Sequence, residues 1–386
     1  MEIYLDNSAT TKSFDEVADL VSTVMTTDYG NPSSVHHKGI CAAKYLDTAK
    51  KEIAATLKAD PAEILFTSGG TESDNTALIG VAHANSRKGK HIITSKLEHP
   101  AILETAKLLE SEGFEITYLK ADSKGHIDLE DLKASIRPDT ILVSIMLVNN
   151  EIGTREDVEA AGEIIKKANP NTYFHVDAVQ GYGKYRINPS KSLIDLLSVS
   201  GHKIHGPKGV GFLYIKKGTK INPLILGGGQ QKGMRSGTDN VPGIAGLGLA
   251  ASKLYGNFDE DISRMRQLKD YFIKEVTSKL DGVYVNGDTS PEGSAPHIIS
   301  LSIESIRAEV LLNALGDKEI YISAGSACAS NRPHTSQTLE TIGLDSRFWD
   351  STLRFSLSVF TSREEIDYTI KALCDIVPML RKYTRH

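Results

Sequence analysis

Apolar positions along the first two thirds of the chain recur with two alternating periods. Leu46, Ile53 and Leu57 carry a helical spacing through Ala43–Leu57. Short strand-like runs then follow over 63–67, 91–95, 115–119, 140–147, 172–176, 196–200 and 209–215. Helical stretches over 71–83, 101–112, 129–136 and 158–168 separate many of them. The run Ile141–Val148 is apolar apart from Ser144, as expected of a strand covered on both faces. This alternation predicts an α/β fold: a mostly parallel seven-stranded sheet with helices on both sides. Such sheets place their sites beyond the carboxyl ends of the strands.

The pattern changes after Gly227-Gly228-Gly229. Helices are predicted over 244–255, 262–280 and 308–315, and strands over 283–285, 297–303 and 353–357. A terminal helix over 364–381 has Ile366, Ile370, Leu373 and Ile376 in register. This reads as a smaller α+β domain. The first dozen residues show no period of their own and are assigned beside it. The expected division is a large domain over 13–255 and a small one formed by 1–12 and 256–386.

Composition narrows the possibilities. Lys plus Arg number 44 and Asp plus Glu 49, a net charge of −5, which argues against a dedicated nucleic-acid binder. The apolar runs are too short to cross a bilayer, and the N-terminus has no basic segment ahead of an apolar one. No membrane or direct nucleic-acid partner is expected. Three cysteines, Cys41, Cys328 and Cys374, make neither a disulfide framework nor a thiolate metal cage, so no metal is expected and the cytoplasm is the expected location.

Several clusters carry chemistry. Ser68-Gly69-Gly70-Thr71-Glu72 joins a strand to a helix. Open backbone N–H groups, close approach at the glycines and the Thr71 hydroxyl would make an anion cradle, and ordinary helix capping is the plainer reading. Asp177 ends a buried strand in His175-Val176-Asp177-Ala178-Val179-Gln180, where a carboxylate must be paired or must cap the next turn. Gln180 lies one turn further on. In Ser200-Gly201-His202-Lys203, Lys203 follows a strand end, where desolvation would bring its amine toward catalytic range. Lys208 competes by the same logic. An anion cradle, a strand-end acid and a lysine together meet the needs of pyridoxal phosphate. His99, after strand 91–95, could stack on a planar ring and move protons, or lie on the surface. Gly325–Pro333 is rich in small and helix-breaking residues and reads as a loop; Cys328 within it is a reacting thiol or an incidental one. Cys41 and Cys374 sit in helical patterns and read as small hydrophobes. Arg354 in an apolar strand needs an anion, either a substrate carboxylate or a protein one.

In combination the chain resembles the cysteine desulfurases of the class V aminotransferase-like group, fold type I pyridoxal phosphate enzymes. The resemblance runs through Tyr4–Thr11, Gly30–Ser34, Phe66–Asn75, Glu98-His99 and Val148–Gly153. It continues through His175–Gln180, Ser200–Gly209, Gly227–Thr238, Gly325–Ser330 and Arg354–Leu357. The Gly-Ser-Ala-Cys segment resembles the nitrogen-fixation and iron–sulfur-cluster type. Small departures are Pro100, His205 and Gly70, and none removes a catalytic group.

The resemblance implies residue roles. Lys203 would hold the cofactor, Asp177 its pyridine nitrogen, Gln180 its phenolate, and His99 would stack on the ring. Gly70, Thr71, Ser200 and His202 would hold the phosphate, with Thr238 reaching the cofactor of a second subunit in a homodimer. Asn150 and Arg354 would hold the carboxylate of L-cysteine, and Cys328 would accept its sulfur, leaving L-alanine. The sulfur would pass to an acceptor protein such as an iron–sulfur scaffold or a tRNA-thiolation protein. Selenocysteine lyase, or an aminotransferase of the same superfamily, is the alternative.

Overall fold

A computed structural model describes residues 2–324 and 336–383 of the 386-residue chain. Its strands are β1 (Ile3–Tyr4), β2 (Ile64–Thr67), β3 (His91–Ser95), β4 (Glu115–Leu119), β5 (Thr140–Met146), β6 (Tyr173–Asp177), β7 (Leu196–Ser200), β8 (Gly211–Ile215), β9 (Val283–Asn286), β10 (Ile298–Ile303), β11 (Ile320–Tyr321), β12 (Ser323–Ala324) and β13 (Thr352–Ser356). Its helices are α1 (Asp15–Thr26), α2 (His37–Leu57), α3 (Gly70–Asn85), α4 (Pro100–Ser111), α5 (Leu129–Ser135), α6 (Val158–Ala168), α7 (Val241–Gly256), α8 (Phe258–Lys279), α9 (Ala308–Gly316), α10 (Gln337–Thr341) and α11 (Arg363–Arg381). No helix among the described residues is long and apolar enough to cross a membrane.

Seven strands form the principal sheet, in the order β2-β8-β7-β6-β5-β3-β4. Only β8 runs antiparallel to its neighbours. The two-residue period of each strand divides its side chains between two cores. Ile93, Val143, Ile145, Phe174, Val176 and Val199 face α2, α6 and α7. Ile92, Leu142, Leu196 and Leu213 face α3 and α4. Every residue of β5 is buried, as its place inside the sheet requires.

On the α3 side the sheet changes character along its length. Leu142 and Leu196 are apolar, but two residues on, in the same facing, stand Ser144 and Ser198. His175 lies between them, bonded at Nδ1 to Ser144 Oγ and at Nε2 to Ser198 Oγ, both at 2.9 Å. Burial pushes the His175 imidazole down to about 3, so it is neutral. On this face of β5, β6 and β7 polarity thus appears toward the carboxyl ends, while a separate polar contact, His91 with Thr140, lies at the amino ends of β3 and β5.

A second sheet, β12-β13-β10-β9, is antiparallel throughout. It packs with α8, α9 and α11 around a separate core that includes Met265, Phe272, Leu301, Phe355, Ile366 and Leu373. Ile3 and Leu5 belong to this core, and β1 pairs with β11. The aperiodic N-terminal residues are therefore held through partners far along the chain.

Three features differ from the sequence reading. Helix α1 was not anticipated, although Val17, Leu20, Val21 and Val24 have helical spacing; its N-cap, Phe14, offers no side-chain acceptor. The strands β1, β11 and β12 have two residues each, too few to show a period. Helix α2 starts at His37, six residues before the expected Ala43, because the His36 side chain caps it by accepting from Gly39 N.

Candidate active site

At the carboxyl ends of β5, β6 and β7 lies a cavity of about 220 Å³. Its lining brings together Gly70, Thr71, His99, Asn150, Asp177, Gln180, Ser200, His202, Lys203 and Arg354. The sheet-end residues meet because β5, β6 and β7 are adjacent and parallel, so their ends share one rim, and Arg354 reaches it from β13 of the second sheet.

The cradle comes first. Helix α3 begins at Gly70, its N-cap is Gly69, and no side chain caps it. The capping alternative therefore fails here, and the amides of the first turn remain open toward an anion. Gly69 has φ of +151°, a conformation that favours glycine. At Gly70 a Cβ would lie 2.6 Å from Val179 Cγ2, so no larger residue fits without displacement.

Asp177 is the last residue of β6 and 5 % exposed. Its Oδ1 accepts from Val179 N at 2.9 Å, so it also orders the turn that follows. Burial raises its pKa, while His99 and Lys203 act in the opposite direction. Beneath it Asp74, one helical turn into α3, lines the same cavity. Asp74 is 1 % exposed and its Oδ1 has no hydrogen-bond partner. Burial and the neighbouring Asp177 push its carboxyl well above the usual range, opposed by the Ser198 hydroxyl. Two adjacent buried acids, offset at Asp177 by Lys203 and His99, still favour a cationic ligand group beside them.

His99 is half-buried and caps α4: its Nδ1 accepts from Ala101 N at 3.1 Å. Nδ1 being an acceptor, the proton of the neutral ring is on Nε2. Burial lowers its pKa first; Asp177 raises it and Lys203 lowers it further. Burial, with Lys203 and Lys208 adding to it, also pushes His202 down to about 4; its Nδ1 lies 3.2 Å from Thr10 Oγ1.

Lys203 follows β7 in a short helical turn. Its Nζ donates to the carbonyl oxygens of Ser8 and of Ala9, the latter at 2.8 Å. Gln180 Nε2 donates to the same Ser8 carbonyl at 2.9 Å. Lys208, the competing lysine, is exposed and does not line this cavity. Arg354 is 4 % exposed and realises part of the ion-pair alternative: Nη2 donates to Asp6 Oδ1 at 3.0 Å, and Nη1 to Asn150 O at 2.8 Å. Its buried Nε has no partner.

Thr238 is exposed and away from the cavity. Its segment is tied to α3 by the Arg235–Glu72 ion pair at 3.0 Å. Cys328 lies outside the described residues. Cys41 and Cys374 are half-buried on α2 and α11, and neither lines the cavity. No cluster of metal-ligating side chains occurs among the described residues.

The sequence reading missed Asp74, Ser8 and Asp6. The spacing Gly70 to Asp74 puts the acid one turn below the cradle, a detectable signal. Nothing local marks Ser8, which acts through its carbonyl.

The residues suit pyridoxal phosphate on grounds internal to this structure. An uncapped helix start whose Gly70 lies close against Val179 matches a phosphate, the buried acids match a protonated pyridine nitrogen, and an amine lines the same cavity.

The chain matches the aminotransferase class-V family over residues 3–369. It is similar to the cysteine desulfurase IscS of Dictyoglomus turgidum, 45% identical over 380 residues, covering 98% of this chain and 95% of that protein. It is also similar to the cysteine desulfurase IscS of Serratia proteamaculans, 45% identical over 386 residues, covering 99% of this chain and 94% of that one. Among solved structures a NifS-like protein superposes with a TM-score of 0.92 at 39% identity, covering 98% of this chain and 100% of that one.

Proposed function

The chain belongs to the class V aminotransferase family as a cysteine desulfurase, and from that premise we propose how its own residues carry the reaction. The enzyme takes sulfur from L-cysteine, releases L-alanine and serves iron–sulfur cluster formation. The observation that carries the residue assignment is the meeting of Lys203, Asp177, the uncapped start of α3 and Arg354 around one cavity.

Lys203 is the residue that would hold pyridoxal 5'-phosphate. Asp177 would serve its pyridine nitrogen, Gln180 its ring oxygen and His99 its face, while Gly70, Thr71, Ser200 and His202 would serve its phosphate. When bound, the cofactor supplies an electron sink for bonds broken at the substrate's carbons. Arg354 and Asn150 orient the substrate carboxylate. Lys203 Nζ removes the proton from the substrate's α-carbon. His99 donates a hydrogen bond from Nε2 to the substrate sulfur; because burial keeps the ring neutral and Nδ1 accepts from Ala101 N, that nitrogen carries the proton. The Cys328 thiolate then attacks the substrate sulfur. An S–S bond forms as the Cβ–S bond breaks; Cβ keeps the electron pair and takes a proton, Lys203 Nζ returns the proton to the α-carbon, giving alanine, and Cys328 keeps the sulfur as a persulfide.

The two-domain division, 13–255 against 1–12 with 256–386, belongs to the same proposal, as do a homodimer and a cytoplasmic location. The exposed Thr238 and the exposed apolar side chains of Tyr29, Val35 and Leu226 support a second copy. An acceptor protein, an iron–sulfur scaffold or a tRNA-thiolation protein, would take the persulfide sulfur.

The test is one turnover of the cofactor-loaded enzyme with L-cysteine and no reductant. Equal amounts of alanine and of a Cys328 peptide heavier by about 32 Da, one sulfur atom, are expected. Added sulfur on Cys41 or Cys374, or no alanine, would overturn the reading. Sedimentation of the active enzyme as a monomer would remove the dimer.

A further inference from the structure

The guanidinium of Arg354 presents five N–H donors in fixed directions. Two of its nitrogens are engaged by the chain itself, Nη1 by Asn150 O at 2.8 Å and Nη2 by Asp6 Oδ1 at 3.0 Å. The third, Nε, is buried and has no partner. A buried donor without an acceptor is costly, so the group is built for an acceptor that arrives later.

Asp6 is tightly placed. Its Oδ1 also accepts from Ser323 Oγ at 2.8 Å. The segment around it lies along β13, where Asp6 bridges to Ser356 and Ser356 N donates to Leu5 O at 2.6 Å. Ser323 faces Arg354 directly across the β12–β13 pairing. Asp6, Arg354 and Ser323 thus form a closed clamp, and Asp6 does not itself line the cavity.

We infer that Asp6 is a positioning residue that fixes the plane of the Arg354 guanidinium at the cavity edge, so that the N–H donors left unengaged select substrates bearing an α-carboxylate. This rests on the proposed function. Asp6 touches no substrate. It holds one N–H of the fork, as Asn150 O holds a second, and the directions of the remaining three are set by the plane so fixed. A guanidinium freed of this restraint keeps its charge and still attracts anions, but loses the directional hydrogen bond that separates an amino acid from a simple amine.

The experiment uses the cofactor-loaded full chain and compares L-cysteine with 2-aminoethanethiol, which has the same amine and thiol and no carboxylate. In Asp6→Ala the KM for L-cysteine should rise about tenfold, the loss of one charge-assisted hydrogen bond. The inhibition constant of 2-aminoethanethiol should stay within about twofold of wild type, since it never used that bond. Asp6→Asn keeps an oxygen acceptor and should return the KM to within about threefold of wild type. If Asp6→Ala does not fold, Ser323→Ala tests the same clamp, with a rise of about threefold confined to L-cysteine. Equal weakening of both compounds, or an unchanged KM in Asp6→Ala, overturns the inference. Wild type that makes no alanine from L-cysteine strikes the proposed function instead. The clamp is then still read from binding of L-alanine against ethylamine, where only the former should weaken in Asp6→Ala.

Discussion

The two walls of the cavity are built on opposite plans. One wall consists of the ends of β5, β6 and β7 with the start of α3, and it leaves polar groups open. The first turn of α3 has no side-chain cap, and Asp74 Oδ1 has no partner. The other wall is the N-terminal segment with β13, and apart from Ser8 Oγ and Arg354 Nε its groups are engaged with the chain itself. Carbonyls of Ser8 and Ala9 hold Lys203, Ser8 holds Gln180, and Asp6 holds Arg354. The first wall offers unmet hydrogen-bonding capacity, which a ligand must supply. The second sets the directions of the side chains that handle it. Recognition and orientation are thus divided between segments that fold around different cores.

The largest break in this contrast is at Lys203, where the walls meet. Lys203→Ala should lower alanine formation from L-cysteine by roughly 10³-fold; a coupled alanine assay reads this, and a loss below tenfold would remove Lys203 from the chemistry. The next concerns which acid of the open wall matters. Asp177→Ala should cost about 100-fold in rate and weaken cofactor retention on gel filtration, with Asp74→Asn costing about tenfold or less. The reverse order would transfer the nitrogen-binding role to Asp74.

A smaller effect sharpens the cradle. Gly70→Ala puts a methyl 2.6 Å from Val179 Cγ2, and cofactor affinity followed by absorbance should fall about tenfold. Adding Val179→Ala should recover most of that loss, which a change in helix propensity could not do.

The last effect is on stability rather than on activity, at a residue that does not line the cavity. Burial pushes the Glu156 carboxyl up to about 8. Its folded pKa exceeds its unfolded one, so the protonated form favours the fold fully below about 4.5, and this contribution is lost as pH rises through about 8. Glu156→Gln should therefore narrow the fall in unfolding free energy between pH 6 and pH 9 by an amount on the order of 1–3 kcal/mol. Parallel curves for the two proteins would show Glu156 ionised in the fold.

The open wall was far more legible in the sequence than the closed one. Strands 91–95, 115–119 and 196–200 and helix 158–168 were read with their observed bounds. Buried strands between amphipathic helices have periods that survive any tertiary context. Site residues at their ends, such as Asp177 and Lys203, follow from the rule for parallel sheets. The closed wall works through β1 and β12, of two residues each, and through backbone carbonyls. A carbonyl has no residue type, and two residues have no period. Asp6 could be quoted in a motif, but its ion pair with Arg354 spans 348 positions and leaves no local trace. Asp74 was legible in principle from its spacing to Gly70, but a charge in the first turns of a helix reads as solvated until the burial of that turn is known.

The attachment of residues 6–11 has a consequence for the order in which the site comes into being. Ala9 takes its contact from Lys203, 194 residues later in synthesis, and Asp6 takes its own from Arg354, 348 residues later. During translation residues 8–11 can meet Gln180, His202 and Lys203 once the principal sheet has been made, while Asp6 still has no Arg354 to bind. The cavity is finished only when β13 has left the ribosome, so a chain cut short before Thr352 would carry most of the sheet-end residues and lack its orienting wall. Activity is thereby tied to completion of the polypeptide: the first residues made are among the last to find their places.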